Sequence, residues 1–205
     1  SFVFCRKIVL QLSTAWSYCW FVFISQFAFV TCAILFPKII EKDLMNSINC
    51  HGKLLNLDEP VVMGIINATP DSFYEGHLNM PVDDILALAG KMIADGAAIL
   101  DIGGLSTRPG SKPISVQEET DRVVPVIERI HTVYPEIILS IDTYNSSVAT
   151  AAVAAGAGII NDISGGNLDK EMIPVTAALG VPYICMHMKG TPATMQQEAV
   201  YENVV

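Results

Sequence analysis

Five apolar runs, each closed by a polar side chain, recur along the chain at intervals of a few tens of residues. Residues 61–67 (VVMGIIN) end in Asn67, 97–101 (AAILD) in Asp101 and 137–142 (IILSID) in Asp142. Residues 158–162 (GIIND) end in Asn161 and Asp162, and 181–187 (VPYICMH) in His187. Val/Ile/Leu runs without polar alternation mark strands buried on both faces, the situation of a parallel sheet. Helical signals lie between them. Pro81, followed by Asp83 and Asp84, opens a helix predicted over 82–95. Ser115-Val116-Gln117-Glu118 has the S-x-x-E form of a capping box and starts a helix predicted to run to about Tyr134, where Pro135 ends it. An Ala-rich helix is predicted over 146–156 and another over 168–179, closed by Gly180. This alternation predicts βαβ units and an α/β fold with a parallel sheet.

A TIM-type (β/α)8 barrel and an open doubly wound sheet both fit that order. No G-x-G-x-x-G follows the first strand, and polar residues end all five strands rather than only those beside one switch point. Both observations favour the barrel, whose chemistry gathers on the rim formed by the carboxyl ends of its strands. At the observed spacing eight units need roughly 260 residues, close to a typical barrel length. Only about the first five β/α units are therefore expected in this chain, with a C-terminal truncation after strand five.

Composition divides the chain near Met45. Residues 1–44 hold seven of the eight Phe, both Trp and three of the five Cys, with no charged residue between Lys7 and Lys38. That run is longer than the about 20 residues that span a bilayer, and Arg6 and Lys7 before it resemble a signal-anchor flank. The chain opens on Ser1, and Met45 comes just before the globular pattern. Residues 1–44 are therefore read as an apolar leader of non-native upstream sequence in preference to a membrane anchor, and 45–205 as a partial barrel domain. From Met45 onward there are 8 Lys and Arg against 19 Asp and Glu. So acidic a body argues against nucleic acid and anionic membrane as partners, but leaves room for a small anionic ligand held locally. Cys50 and Cys185 lack CxxC spacing, so no disulfide framework or zinc site is implied and a cytoplasmic location is expected. Residues 49–57 are expected to form a small hairpin or a lid ahead of the first strand.

Three loops carry candidate chemistry: 67–73 (NATPDSF), 101–110 (DIGGLSTRPG) and 186–192 (MHMKGTP). Each has a plain explanation when taken alone, because Thr-Pro-Asp and Arg-Pro-Gly form turns and an Asp or Asn at a strand end often caps the next helix. On one rim, however, Asn67, Asp101, Thr107, Arg108, Asp142 and Asn161 combine anion-binding with hydrogen-bonding character.

NATPDSF, DIGGLSTRPGS, SIDTYNSSVATAAVAAGAGIINDISGG and MHMKGTPATMQ, in that order, resemble the dihydropteroate synthases of the pterin-binding family. The resemblance runs from about Asn49 to Val205. It implies a β/α barrel and the magnesium-dependent condensation of 4-aminobenzoate with 6-hydroxymethyl-7,8-dihydropterin diphosphate, giving 7,8-dihydropteroate and pyrophosphate in folate biosynthesis. Asp142 and Asn161 match the pterin-recognising Asp and Asn, expected deep in the site. Asp101 matches a further acidic position nearer the reacting end of the pterin, where Asp71 also stands close. Thr107 and Arg108 match the loop that grips the pyrophosphate, the planar guanidinium binding phosphate oxygens in pairs. Asn67 matches the residue that helps hold Mg2+. Ile163 and Met186 are placed against the flat ring or in the barrel core, Asp162 in a turn or cap, and His187 in the pocket wall. The resemblance also implies a homodimer for the full-length protein.

Departures are equally specific. Leu105 stands where GGESTRPG has Glu, and Tyr74-Glu75-Gly76-His77 replaces Ser-Asp-Gly-Gly. The Asp, Lys and Arg-x-His that the resemblance places after later strands are not in this sequence, so residues 45–205 alone are expected to be poorly soluble and inactive. Two rival functions stay open. A methyltetrahydrofolate-type methyltransferase shares the barrel, although it has no pyrophosphate for an STRPG loop to hold. A non-catalytic pterin-binding remnant is the other.

Overall fold

The computed structural model describes residues 8–10, 47–68, 82–105, 114–186, 189–191, 194–198 and 200. In chain order the strands are β1 (Ile8–Leu10), β2 (Ser47–Cys50), β3 (Lys53–Asn56), β4 (Val62–Asn67), β5 (Ala97–Gly103), β6 (Ile138–Asp142), β7 (Ile159–Asp162) and β8 (Tyr183–Cys185). The helices are α1 (Val82–Ala94), α2 (Val116–Val133), α3 (Ser146–Ala154), α4 (Met172–Leu179) and the short α5 (Met195–Glu198).

Strands β4 to β8 pair in parallel and lie side by side in chain order, while β1 pairs antiparallel with the outer side of β8. A doubly wound sheet reverses its strand order at a switch point. Here the order does not reverse, and the five parallel strands form part of a β/α barrel. Alternate residues face opposite sides. Ile66, Leu100, Ile102, Leu139, Ile141 and Ile160 pack outward against α1, α2 and α3 in the main core. Ile99, Ile138, Ile159 and Ile184 point inward and pack on Cys50 and Leu55 of the β2–β3 hairpin. Residues 49–57 thus belong to a hairpin under the barrel floor and not to a lid over the rim. Its turn has φ of 54° at His51 and 89° at Gly52, the pair of positive values a two-residue type I′ turn needs.

Helix signals in the sequence hold closely at α1, α2 and α3. Ser115 caps α2 by accepting from Glu118 N at 3.1 Å. The helix expected over 168–179 instead starts at Met172. A start at 168 would bury the ring of Pro174 in a helix interior, whereas in α4 it falls in the first turn, where no N–H is needed. The fifth apolar run forms a strand only over Tyr183–Cys185, so β8 ends before His187, which lies outside the described residues. Residues 1–7 and 11–46 also lie outside them. Among the described residues no helix is long and apolar enough to cross a membrane.

Candidate active site

Pairing across parallel strands sets the interior rows. Ile65, Asp101, Ser140 and Ile159 stand in one row, and Asn67, Gly103, Asp142, Asn161 and Ile184 in the row above it, toward the carboxyl ends. Beneath both lies the apolar floor containing Ile99 and Ile138. Polar side chains thus collect toward the carboxyl ends of β4 to β7, with Ile184 of β8 remaining apolar in the upper row.

Strand β5 continues for two residues past Asp101 to Gly103. This puts Asp101 one pairing row before Asp142 and Asn161 along the strands. Asp101 is 3% exposed and Asn161 5%, Asp142 is half-buried, and Asn67 is exposed at the end of β4. Asn161 Nδ2 donates to Asp101 Oδ2 at 2.8 Å, a buried bond between the two rows. A carboxylate only accepts, so this bond fixes which edge of the Asn161 amide faces Asp101. Ser140 Oγ, in the Asp101 row, is buried without a hydrogen-bond partner among the described residues.

Gly103 leaves space in the upper row. A Cβ there would lie 3.6 Å from Asn67 Oδ1 and 3.7 Å from Asp142 Oδ2, so those oxygens flank the gap. Gly104, the next residue, is constrained differently, because its Cβ would meet Val123 Cγ1 at 2.7 Å.

Asp162 faces the helices. Its carboxylate accepts from Ser164 N at 2.7 Å, Gly166 N at 2.8 Å and Tyr183 Oη at 2.6 Å, which shapes the loop after β7. Burial, with the Asp162 carboxylate beside it, pushes the Tyr183 hydroxyl well up. The turn role expected of Asp162 is what its contacts show. Met186, half-buried after β8, donates its N–H to Asp162 O at 3.2 Å. Its carbonyl oxygen closes over Gly165, whose φ of 60° and 2.9 Å clearance exclude a side chain.

The strands thus bring Asn67, Asp101, Asp142 and Asn161 together, with Met186 following β8. Thr107, Arg108, Asp71 and His187 lie outside the described residues. Glu119 on α2 was not singled out from the sequence, where it reads as a first-turn acid. It is fully buried and receives hydrogen bonds from Thr143 Oγ1 and Asn145 Nδ2, both at 2.6 Å. The available signal was its position four residues before Val123, on the apolar stripe of its helix.

A family model described as pterin binding enzyme matches residues 63–205. Over 142 residues the chain is 50% identical to the folic acid synthesis protein fol1 of Schizosaccharomyces pombe, covering 69% of this chain and 19% of that protein. Over 153 residues it is 42% identical to a dihydropteroate synthase of Streptococcus pyogenes, covering 75% of this chain and 54% of that one. The solved structure of Xanthomonas albilineans dihydropteroate synthase with 4-aminobenzoic acid superposes with a TM-score of 0.66 at 45% identity, over 71% of this chain and 52% of the other. The chain thus spans about half the length of the synthases it matches and a fifth of the fol1 protein. With the family match extending over most of its length, the chain belongs to the pterin binding enzyme family.

Proposed function

We propose that the gene product performs the dihydropteroate synthase reaction, joining 4-aminobenzoate to 6-hydroxymethyl-7,8-dihydropterin diphosphate. The observation that carries this is the buried Asn161–Asp101 bond of 2.8 Å beneath Asp142, at the carboxyl ends of parallel strands. The aminopyrimidinone edge of a dihydropterin presents ring N–H and amino donors beside acceptors. Asp142 accepts from the donors. Asn161, its amide turned by Asp101, contributes a complementary contact. Met186 and Ile163 border the flat ring.

The amine nitrogen of 4-aminobenzoate forms a bond to the exocyclic methylene carbon of the pterin. The carbon–oxygen bond to the diphosphate breaks, pyrophosphate leaves with the electron pair, and the amine loses a proton. No side-chain nucleophile is needed. Arg108 takes pyrophosphate oxygens in pairs and Thr107 adds a hydroxyl donor. Asp101, one row below the pterin-facing pair, favours the positive charge that develops on the pterin, and Asp71 is assigned to the same task.

A magnesium ion fits Asn67. The side chain is exposed at the strand end and its Oδ1 borders the gap above Gly103. Mg2+ commonly takes one or two protein oxygens and fills its shell from phosphate and water. Asn67 would hold it through the amide oxygen. When bound, the ion would neutralise charge on the departing diphosphate. The separated Cys50 and Cys185 suit a reducing compartment, and the cytoplasm is the proposed location.

The test is to incubate the full-length gene product with both substrates and Mg2+. Equal amounts of 7,8-dihydropteroate and pyrophosphate are expected, with turnover at least about tenfold lower in Arg108→Lys, which loses the guanidinium fork. A pterin diphosphate that binds but releases no pyrophosphate would overturn the assignment in favour of a binding remnant.

A further inference from the structure

The first turn of α2 carries a charge that the reaction above does not use. Glu119 heads the stripe of Val123, Val126, Ile127 and Ile130 and is 0% exposed. Its two carboxylate oxygens are divided between two residues of one loop. Oε1 accepts from Thr143 Oγ1 at 2.6 Å, and Oε2 accepts from Asn145 Nδ2 at 2.6 Å. That loop begins directly after Asp142. The Thr143 hydroxyl also accepts from Asn145 N at 3.1 Å, and Thr143 N donates to Asn161 O at 3.0 Å. Glu119 therefore grips the segment that joins the two side chains assigned to the pterin edge.

The same turn of α2 reaches the neighbouring loop. A Cβ on Gly104 would stand 3.2 Å from Glu119 Cγ and 3.3 Å from Glu119 O, so the backbone after β5 lies directly on this residue. One turn along, Arg122 donates from Nη1 to Gly104 O at 3.1 Å and pairs through Nη2 with Glu118 at 2.6 Å. Gly104 begins the loop that contains Thr107 and Arg108.

We infer that Glu119 is a positioning residue for the pterin site, acting through Thr143 and Asn145 to hold Asp142 and Asn161 in place from the turn that also anchors the base of the diphosphate loop. This rests on the dihydropteroate synthase assignment and deepens it. Stability alone does not account for the residue. Burial pushes the Glu119 carboxyl up, with the bonds from Thr143 and Asn145 and the Arg122 charge opposing it. A well-packed apolar side chain commonly serves a helix stripe as well as or better than a buried charge.

Steady-state kinetics of the full-length gene product separate positioning from simple support. Glu119→Gln keeps the shape of the side chain, but its amide cannot accept from both Thr143 and Asn145 as the carboxylate does. The expected result is a KM for the pterin diphosphate raised about tenfold or more, with the KM for 4-aminobenzoate within about twofold. Thr143→Val, which removes the hydroxyl, should give the same selective rise, and Thr143→Ser should restore the unmodified value. The double variant Glu119→Gln with Thr143→Val should be no worse than the poorer single variant, since both break one link. An unchanged pterin KM in Glu119→Gln and Thr143→Val would overturn the inference, as would both KM values and kcat moving together with the melting temperature. If Glu119→Gln does not fold, the Val and Ser variants of Thr143 decide alone. Turnover by the unmodified protein alongside an unchanged pterin KM in the variants defeats this inference only. Failure of the unmodified protein to bind or convert the pterin diphosphate defeats the assigned reaction and this inference with it.

Discussion

Two adjacent glycines show how finely single positions are set around the site. A methyl group on Gly103 would make ordinary contacts with Asn67 and Asp142, the nearest at 3.6 Å. On Gly104 it would run into Val123 at 2.7 Å. Gly104→Ala should cost about 1–3 kcal/mol in urea unfolding, as overpacking does. Gly103→Ala should change stability by no more than about 1 kcal/mol, yet weaken binding of the pterin diphosphate in a calorimetric titration, because the methyl enters the gap between two site residues. Unchanged binding by Gly103→Ala would show that this gap is not used. Much of the candidate site was legible at this scale because a polar residue ending a buried apolar run is conspicuous, as Asn67, Asp142 and Asn161 are. The register of Asp101, one pairing row before Asp142, was not legible, since it depends on β5 running on through Ile102 and Gly103. Glu119 was masked by its place in a first helical turn, where an acidic residue needs no other explanation.

At the scale of elements, the tertiary setting overrides local preference in several places. Pro125 lies inside α2, where it removes a backbone donor, but the helix continues because Val123, Val126, Ile127 and Ile130 bury one continuous face. The sequence left residues 49–57 open as a hairpin or a lid, because the burial that decides between them, of the β2–β3 hairpin against the barrel floor, depends on partners distant in sequence. Cys50 of that hairpin is 1% exposed, and burial pushes its thiol up to about 11. Iodoacetamide at pH 8 should therefore leave Cys50 unmodified in the folded protein and alkylate it on unfolding, as read by peptide mass spectrometry. Rapid native-state labelling would mean that the hairpin is not seated under the barrel.

A second element-level prediction concerns acid. Asp169, in the loop before α4, accepts from Ser146 N at 2.8 Å and Glu171 N at 3.0 Å. The backbone bond from Ser146 is the main reason its carboxyl is held below the usual range. A carboxylate with a lowered folded-state pKa stabilises above its unfolded value of about 3.9, and that contribution disappears as pH falls through the folded-state value. Amide exchange at the start of α3 should accordingly lose protection below about pH 4, and Asp169→Asn should flatten this dependence. Equal acid sensitivity in the variant would remove Asp169 as its source.

For the whole molecule, strand order decides the architecture, and the spacing of apolar runs made the parallel β/α pattern plain before any contact was known. Closure of the sheet was less legible, because it depends on which strands become neighbours at the edges. Strand β4 ends the sheet among the described residues and presents an open edge. Residues 45–205 expressed alone should therefore be poorly soluble and inactive, and robust turnover by that piece would contradict this. The central claim is that the interior rows hold a pterin through Asp142 and Asn161, with Asp101 beneath. Its most direct test is isothermal titration of 6-hydroxymethyl-7,8-dihydropterin diphosphate into the full-length gene product and its Asp142→Asn variant, with folding of both checked by circular dichroism. The substitution keeps size but replaces an acceptor by a donor facing ring donors. The expected result is tight binding by the unmodified protein and affinity lower by roughly 10- to 100-fold in the variant. Equal affinity in the two folded proteins would contradict the account.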